Sequence, residues 1–406
     1  MLLIKLALRN ILRQRRRSLL TILSMSGGYA LCCLSISLVE GSYKNIIELF
    51  TADHTGHIQV HLDDYLHHPK VYKAFDDTAA TRRQLTSLPA VSSITPRVFA
   101  PVLAYAGSQH TAAQLVGIDP FLERQTTRLA DKVQTGEYFP TSGDADYLQP
   151  AMVGMRIAKS LNITVGDELI LISQGADGSV ANDIYRVSAL VGSQHSWDSD
   201  KVYLPLASAQ EFLAMPGRVH QYVVMLTAIN QVSRVTDILR QRLPELRINT
   251  WMQVEQTFYQ SMETDKRGNR ITLFIIVFIV FIGVLNTVLM SVMERTREFG
   301  VLRAIGSRPG VIFRLIVLET LALTFISIFA GAIMVAPVIA WFTLQGIKLP
   351  NPISIGGIEF GYMLGDFSAY VFFVPMLILI VFALVVSIPP GIRAARISPT
   401  RAMSSQ

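Results

Sequence analysis

Glu294, Arg295, Arg297, Glu298, Arg303, Arg308 and Arg314 crowd into a stretch of 21 residues between two long apolar runs. Guanidiniums and carboxylates at this spacing do one kind of chemistry well: they pair with each other and with charged groups on another surface. The whole stretch, NTVLMSVMERTREFGVLRAIGSRPGVIFRLIVLET from Asn286 to Thr320, reads as a helix that leaves a membrane and turns straight back. Glu294, Arg295, Arg297, Glu298 and Arg303 are therefore candidate docking residues, with Gly300 and Gly306 supplying backbone freedom. Ion pairs on an exposed helix contribute only ~0–1 kcal/mol each, so charges placed here serve recognition better than stability. Reversing Glu298 and Arg303 together is expected to abolish docking while leaving the fold intact.

Three other groups invite a chemical reading. Glu319 lies near the end of an apolar run, where an ionisable group costs roughly 2.5–3.5 kcal/mol at full depth and less near the edge. It is expected either to meet the charged link or to snorkel. Gly27 and Gly28, adjacent in the first apolar run, are candidates for close helix packing at a dimer interface. His54, His57, His61, His67 and His68 raise the question of a metal. In HTGHIQVHL (54–62) Ile58 and Val60 alternate with His57, Gln59 and His61, the period-two pattern of a half-buried strand. Along such a strand His57 and His61 stand about 13 Å apart, too far to share one ion, so the histidines are expected to face solvent. No metal and no cofactor is assigned to this chain.

The elements that must position these residues follow from composition. Half of the 406 residues are apolar and 16% are charged, against about a quarter in soluble domains. Four runs, Ser18–Val39, Ile271–Met293, Val311–Phe342 and Ala369–Ile388, are each long enough to cross a hydrocarbon core of about 30 Å. The net charge of +6 is sorted by place: Lys5, Arg9, Arg13, Arg15, Arg16 and Arg17 precede the first run, five arginines follow the second, and Arg393, Arg396 and Arg401 follow the fourth. Between the third and fourth runs there is a single lysine, Lys348. The positive-inside rule therefore puts both termini in the cytoplasm, and it removes any need for a nucleic-acid partner.

The expected architecture is an α-helical membrane protein with one plus three transmembrane helices and a large α+β domain between helices 1 and 2. Its parts are an amphipathic interfacial helix (1–17), helix 1 (18–40), an outer α+β domain with helical stalk ends (41–268), helix 2 (271–293), the coupling helix (294–310), helix 3 (311–342), a short outer loop (343–368), helix 4 (369–388) and a basic tail (389–406). The interfacial helix should set its basic face on lipid phosphates and its apolar face on acyl chains. The first run is too long for an ordinary signal-peptide core, so it is read as a retained anchor. Pro389-Pro390-Gly391 is expected to stop the last helix sharply. In the outer domain, strands are expected at Ala112–Val116, Glu168–Ile172 and Tyr185–Leu190, and helices at Met155–Leu161, Ala207–Leu213 and Val232–Arg242. A tight turn is expected at Val165-Gly166-Asp167. Cys32 and Cys33 both fall within the first run, so the outer domain holds without disulfides.

No Walker A sequence, HExxH or GxSxG occurs, so no catalytic residue is assigned and energy must come from another chain. ERTREFGVLRAIGSRPGVIFRLIVLE (294–319), LALRNILRQRRRSLLTILSM (6–25) and PPGIRAARISPTRAM (389–403) resemble the FtsX-like permeases of type VII ABC transporters. QLVGIDP (114–120), the 152–171 segment and VYLPLASAQEFL (202–213) resemble the family's periplasmic domain. The layout is similar to the lipoprotein-releasing LolC/LolE group, and REFGVLRAIG is similar to MacB-type members. The resemblance implies an inner-membrane permease without activity of its own. It would work with a cytoplasmic ATPase that binds ATP and Mg, and with a second permease, identical or a paralogue. ATP-driven movement of the coupling helices would be passed to the outer domains to extract lipoproteins from the membrane. Efflux of toxins or peptides through a periplasmic adaptor is an alternative, as is control of a cell-wall hydrolase.

Overall fold

The computed structural model describes residues 2–13, 15–139, 148–355 and 358–396. They form two compact units. One comprises Met1–Asn45, Met262–Lys348 and Tyr362–Gln406; the other comprises Ile46–Ser261 and Leu349–Gly361.

In chain order the elements are α1 (Leu2–Arg13), α2 (Arg15–Phe50), β1 (Ile58–Leu62), β2 (Phe75–Asp76), α3 (Ala79–Thr86), β3 (Val91–Ala106) and β4 (Gln109–Ile118). There follow α4 (Pro120–Thr126), β5 (Val133–Gly136), β6 (Gln149–Gly154), α5 (Met155–Leu161), β7 (Glu168–Gln174), β8 (Val180–Val191), β9 (Lys201–Pro205) and α6 (Leu206–Phe212). The outer elements end with β10 (Arg218–Val219), β11 (Gln221–Leu226), α7 (Val232–Arg242), β12 (Leu246–Thr250) and α8 (Trp251–Val254). The chain then runs through α9 (Gln256–Glu294), α10 (Thr296–Ala304), α11 (Pro309–Leu344), the β13 (Ile347–Ile355) and β14 (Ile358–Met363) pair, and α12 (Ala369–Ala395).

Four helices, α2, α9, α11 and α12, are long and apolar enough to cross a membrane. At 1.5 Å per residue α2 and α9 are each about 55 Å long, well beyond a 30 Å hydrocarbon core. Small residues let the helices of the bundle approach closely. A Cβ on Gly331 of α11 would sit 2.9 Å from the Ser26 carbonyl oxygen, and the buried Tyr29 hydroxyl donates to the Phe372 carbonyl at 3.1 Å.

Two expectations for this unit are corrected. The apolar face of α1 is not all left to lipid, since Ala7 and Ile11 are buried and α1 lies against α11. Nor does Pro389-Pro390-Gly391 end the last helix, because α12 continues to Ala395. Two adjacent prolines remove two backbone donors, but Pro390 and Gly391 are buried, and a Cβ on Gly391 would come within 2.8 Å of the Phe313 ring. Packing on α11 holds the helical path through the break. The expected basic tail from Ile397 onward lies outside the described residues.

The outer unit is built on a mixed sheet in the order β12-β1-β11-β3-β4-β9-β6-β8-β5, with β7 bridging β3 and β8. Most pairs are antiparallel; β4–β9 and β6–β8 are parallel. The three expected strands fall within β4, β7 and β8, and the three expected helices are α5, α6 and α7. The predicted turn is present: Gly166 has φ +98°, and the Asp167 carboxylate accepts from the Thr164 N–H at 2.7 Å.

The histidine strand is the third correction. β1 pairs with β11 on one side and β12 on the other, so it is interior to the sheet. Both of its faces are covered: Ile58 and Val60 are fully buried, and His57, Gln59 and His61 on the other face are buried as well. Only His67 and His68 of the group face solvent.

Candidate coupling site

The charged link is shaped at both ends by local sequence. The Thr296 hydroxyl donates back to the Val292 and Met293 carbonyls, and Arg295 leaves helical geometry, so α9 stops and α10 starts at that residue. At the other end Gly306 adopts φ +101°. The Ser307 N–H reaches the Leu302 carbonyl and the Gly306 N–H the Arg303 carbonyl, a left-handed helix stop that favours glycine. Pro309 then opens α11, where its missing N–H costs nothing.

Arg295 organises what lies between. Its guanidinium is 9% exposed and contacts both oxygens of Glu319, at 2.8 and 3.1 Å. It also donates to Glu298 at 3.0 Å and lies 5.2 Å over the Phe299 ring. Phe299 and Gly300 are buried beside it. Arg295 thus ties the root of α10 to α11, and it satisfies the Glu319 carboxylate that would otherwise be a costly charge near the membrane edge. Glu298 also accepts from Arg13, and Glu294 pairs with Arg17 at 2.7 Å. Burial pushes the Glu298 carboxyl up, but the bonds from Arg295 and Arg13 outweigh it and hold it below the usual range. Neither Arg13 nor Arg17 stood among the expected site residues; the available signal was a run of four basic residues with no acid near it in sequence.

The face of α10 turned away from this tie is different in kind. Arg297 is exposed, as are Val301, Leu302 and, at 79%, Ile305. Arg303 is half-buried and donates to the Ser307 carbonyl at 3.2 Å, closing the turn. The expected docking set is therefore split by the structure. Arg295, Glu298 and Gly300 hold the helix, Arg303 and Gly306 shape its end, and Arg297 with the apolar row remains available. Of the expected packing glycines, Gly28 is used inside the bundle, where an added Cβ would meet the Val280 side chain at 2.3 Å. Gly27 has open space around it.

A second charged cluster lies in the outer unit, where both stalk helices end. After α2 the chain makes one π-helical turn, Thr51–Thr55. Asp53 from this turn faces Lys132 at 3.3 Å, and Lys132 pairs with Asp198 at 2.8 Å. The His54 ring centre lies 3.8 Å from that of Trp197 with the two planes tilted by 42°, the His54 carbonyl accepts from Arg97 at 2.9 Å, and Glu255, just before α9, stands 3.7 Å from its Nε2. Arg97 is buried against Glu123 at 2.5 Å, and the Tyr203 hydroxyl donates to Asp198 at 2.5 Å. Lys201 is almost enclosed, with its ammonium 4.1 Å from the Trp197 ring centre. Burial brings this amine down to about 7 despite the attraction of Asp198. His57 is spent structurally, accepting the Leu226 N–H at 2.9 Å.

Comparison with known proteins accounts for both units. Residues 18–242 match the family described as the MacB-like periplasmic core domain, and residues 270–399 match the FtsX-like permease C-terminal family. The chain belongs to the MacB-like, FtsX-like permeases of ABC transporters. Relatives of this permease include the macrolide export ATP-binding/permease protein MacB of Nitrosomonas europaea, 24% identical over 80% of this chain and 47% of the relative. The pyoverdine export ATP-binding/permease protein PvdT of Pseudomonas aeruginosa is 26% identical, over 97% of this chain and 57% of that protein. The lipoprotein-releasing system transmembrane protein LolE of Haemophilus influenzae is 21% identical over 80% of each. The permease spans about half the length of the MacB and PvdT relatives it matches. Among solved structures, the periplasmic region of MacB from Actinobacillus actinomycetemcomitans matches with a TM-score of 0.36 at 16% identity, covering 53% of this chain and 98% of that one.

Proposed function

We propose that this permease couples ATP hydrolysis on a separate cytoplasmic ATPase to work done by its outer domain, with both termini in the cytoplasm and a second permease, identical or related, beside it. The observation that carries the reading is α10. It is a short helix between two spans, fixed at its root by a buried ion pair and exposing Arg297, Val301, Leu302 and Ile305 on its free side. A helix anchored in this way transfers a push from a bound partner into α9 and α11 without bending away. The α9 helix and its counterpart α2 run on into the charged cluster of the outer unit, which would receive the displacement.

The cargo we favour is a lipoprotein or similar lipidic molecule taken from the outer leaflet. The LolE relative supports this by matching over most of both chains. The match to a MacB-like core domain favours the second reading, export of a toxin or peptide with a periplasmic adaptor. The experiment is purification of the tagged permease from its own membranes in mild detergent, with mass spectrometry of what accompanies it. A stoichiometric soluble ATPase is expected, lost on Ile305→Glu with Leu302→Glu while the permease itself stays folded. Trapped lipoproteins in the absence of ATP would then select the first cargo, and an adaptor the second. An ATPase that stays bound to the double variant refutes the assignment of this face.

A further inference from the structure

Beside the roots of α2 and α9 lies an open cavity of about 700 Å³ lined by Arg13, Arg15, Arg16, Arg17, Asn286 and Met290, among others. Two of these arginines are engaged, Arg13 by Glu298 and Arg17 by Glu294 and the Thr287 carbonyl. Arg15 and Arg16 are exposed and make no ion pair among the described residues. They stand in the first turn of α2, where the positive end of the helix dipole adds to their charge instead of offsetting it. Four guanidiniums face one cavity with a single carboxylate, Glu294, in its lining. Such an arrangement wants an anion. Directly along α2 from it, Leu19, Leu20 and Leu23 are 58%, 68% and 58% exposed, a strip that suits acyl chains. Met290 and Met293 are likewise exposed on α9.

From this combination we infer that the cavity binds the phosphate of an anionic phospholipid of the inner leaflet, head among the arginines and chains along Leu19–Leu23. Basic pockets between helices on the cytoplasmic side are suited to such heads. The site rests on the orientation given under the proposed function, and it adds a regulatory consequence. Arg13 and Arg17 hold Glu298 and Glu294 of the coupling segment, so a phosphate that recruits either arginine competes with those carboxylates. The lipid would thereby loosen the grip of α1 and α2 on the link that the ATPase pushes.

The test is direct lipid binding to the purified full-length chain, with no ATPase present, so that its failure is separable from failure of the permease reading. Phosphatidylglycerol and phosphatidylcholine in mixed micelles are compared by native mass spectrometry, with inorganic phosphate as a third arm. Phosphatidylglycerol is expected to bind and phosphatidylcholine not. Arg15→Gln with Arg16→Gln should weaken binding roughly 25-fold, the loss of two surface arginines at about 1 kcal/mol each. Arg15→Lys with Arg16→Lys should retain most of the binding and guards against a topology or folding defect in the first pair. Equal binding of the two lipids, or undiminished binding by the glutamine pair, overturns the site. If inorganic phosphate displaces the lipid at equal concentration, the acyl-chain strip plays no part and the lipid assignment fails. Binding that leaves ATPase co-purification unchanged across phosphatidylglycerol contents overturns the regulatory clause.

Discussion

Arg295→Met separates a structural role from a docking role at the heart of the link. The guanidinium is 9% exposed and Glu319 15%, so removing the cation strands a carboxylate among packed helices. Breaking a buried pair from one side costs about 3–5 kcal/mol. For a body of 150–250 residues that corresponds to a fall in Tm of about 6–20 °C. Replacing both partners, Arg295→Met with Glu319→Leu, removes the charge and the need for a partner together, and such swaps are often neutral. The double variant should therefore regain most of the lost Tm. Melting in detergent, followed by tryptophan fluorescence, measures all three proteins. The reasoning is refuted if Arg295→Met melts like the wild type, or if adding Glu319→Leu brings no recovery. A docking role predicts the opposite pattern: unchanged Tm, a lost ATPase, and no rescue from Glu319→Leu.

Two further outcomes follow from the geometry. Lys201 is buried and brought down to about 7, whereas the unfolded chain holds that proton up to about 10.4. The unfolded state thus binds more protons between these values, and stability must rise as pH climbs from 7 towards 10. Over roughly three pH units the effect is on the order of 4 kcal/mol at most; Lys201→Met should flatten the rise in a pH series of melts on the full chain, and an unchanged slope would show the amine to be ordinary. Gly28→Ala places a Cβ where Val280 now sits, an overpacking that costs about 1–3 kcal/mol. Val280→Ala in the same chain should restore the Tm, and no rescue would place the Gly28 contact elsewhere.

What could be read without coordinates was whatever depends on local pattern. Long apolar runs, the Gly166 turn and the helices α5 and α7 are all carried by neighbours in the chain, and each stands where it was expected. The coupling segment was legible as a place but not in its division of labour. Arg295 and Arg297 are two residues apart and chemically identical, yet on a helix two residues lie on different sides. Only the distant Glu319, 24 residues on, decides which of them turns inward. The same holds for Arg13 and Arg17, whose carboxylates lie 285 and 277 residues away.

That division changes what the charge-reversal experiment can mean. Glu298→Lys with Arg303→Glu, expected from the sequence to abolish docking and spare the fold, would put a cation beside Arg295 and Arg13, both of which now bond Glu298. It would also remove the Arg303 bond that closes the turn at Ser307. Loss of the ATPase in that variant would follow equally from a displaced helix and from a damaged contact face. Substitutions at Ile305 and Leu302, exposed and outside the ion-pair tie, leave the root of α10 in place. The informative perturbation lies on the apolar residues of the link, although its charges are what draw attention in the sequence.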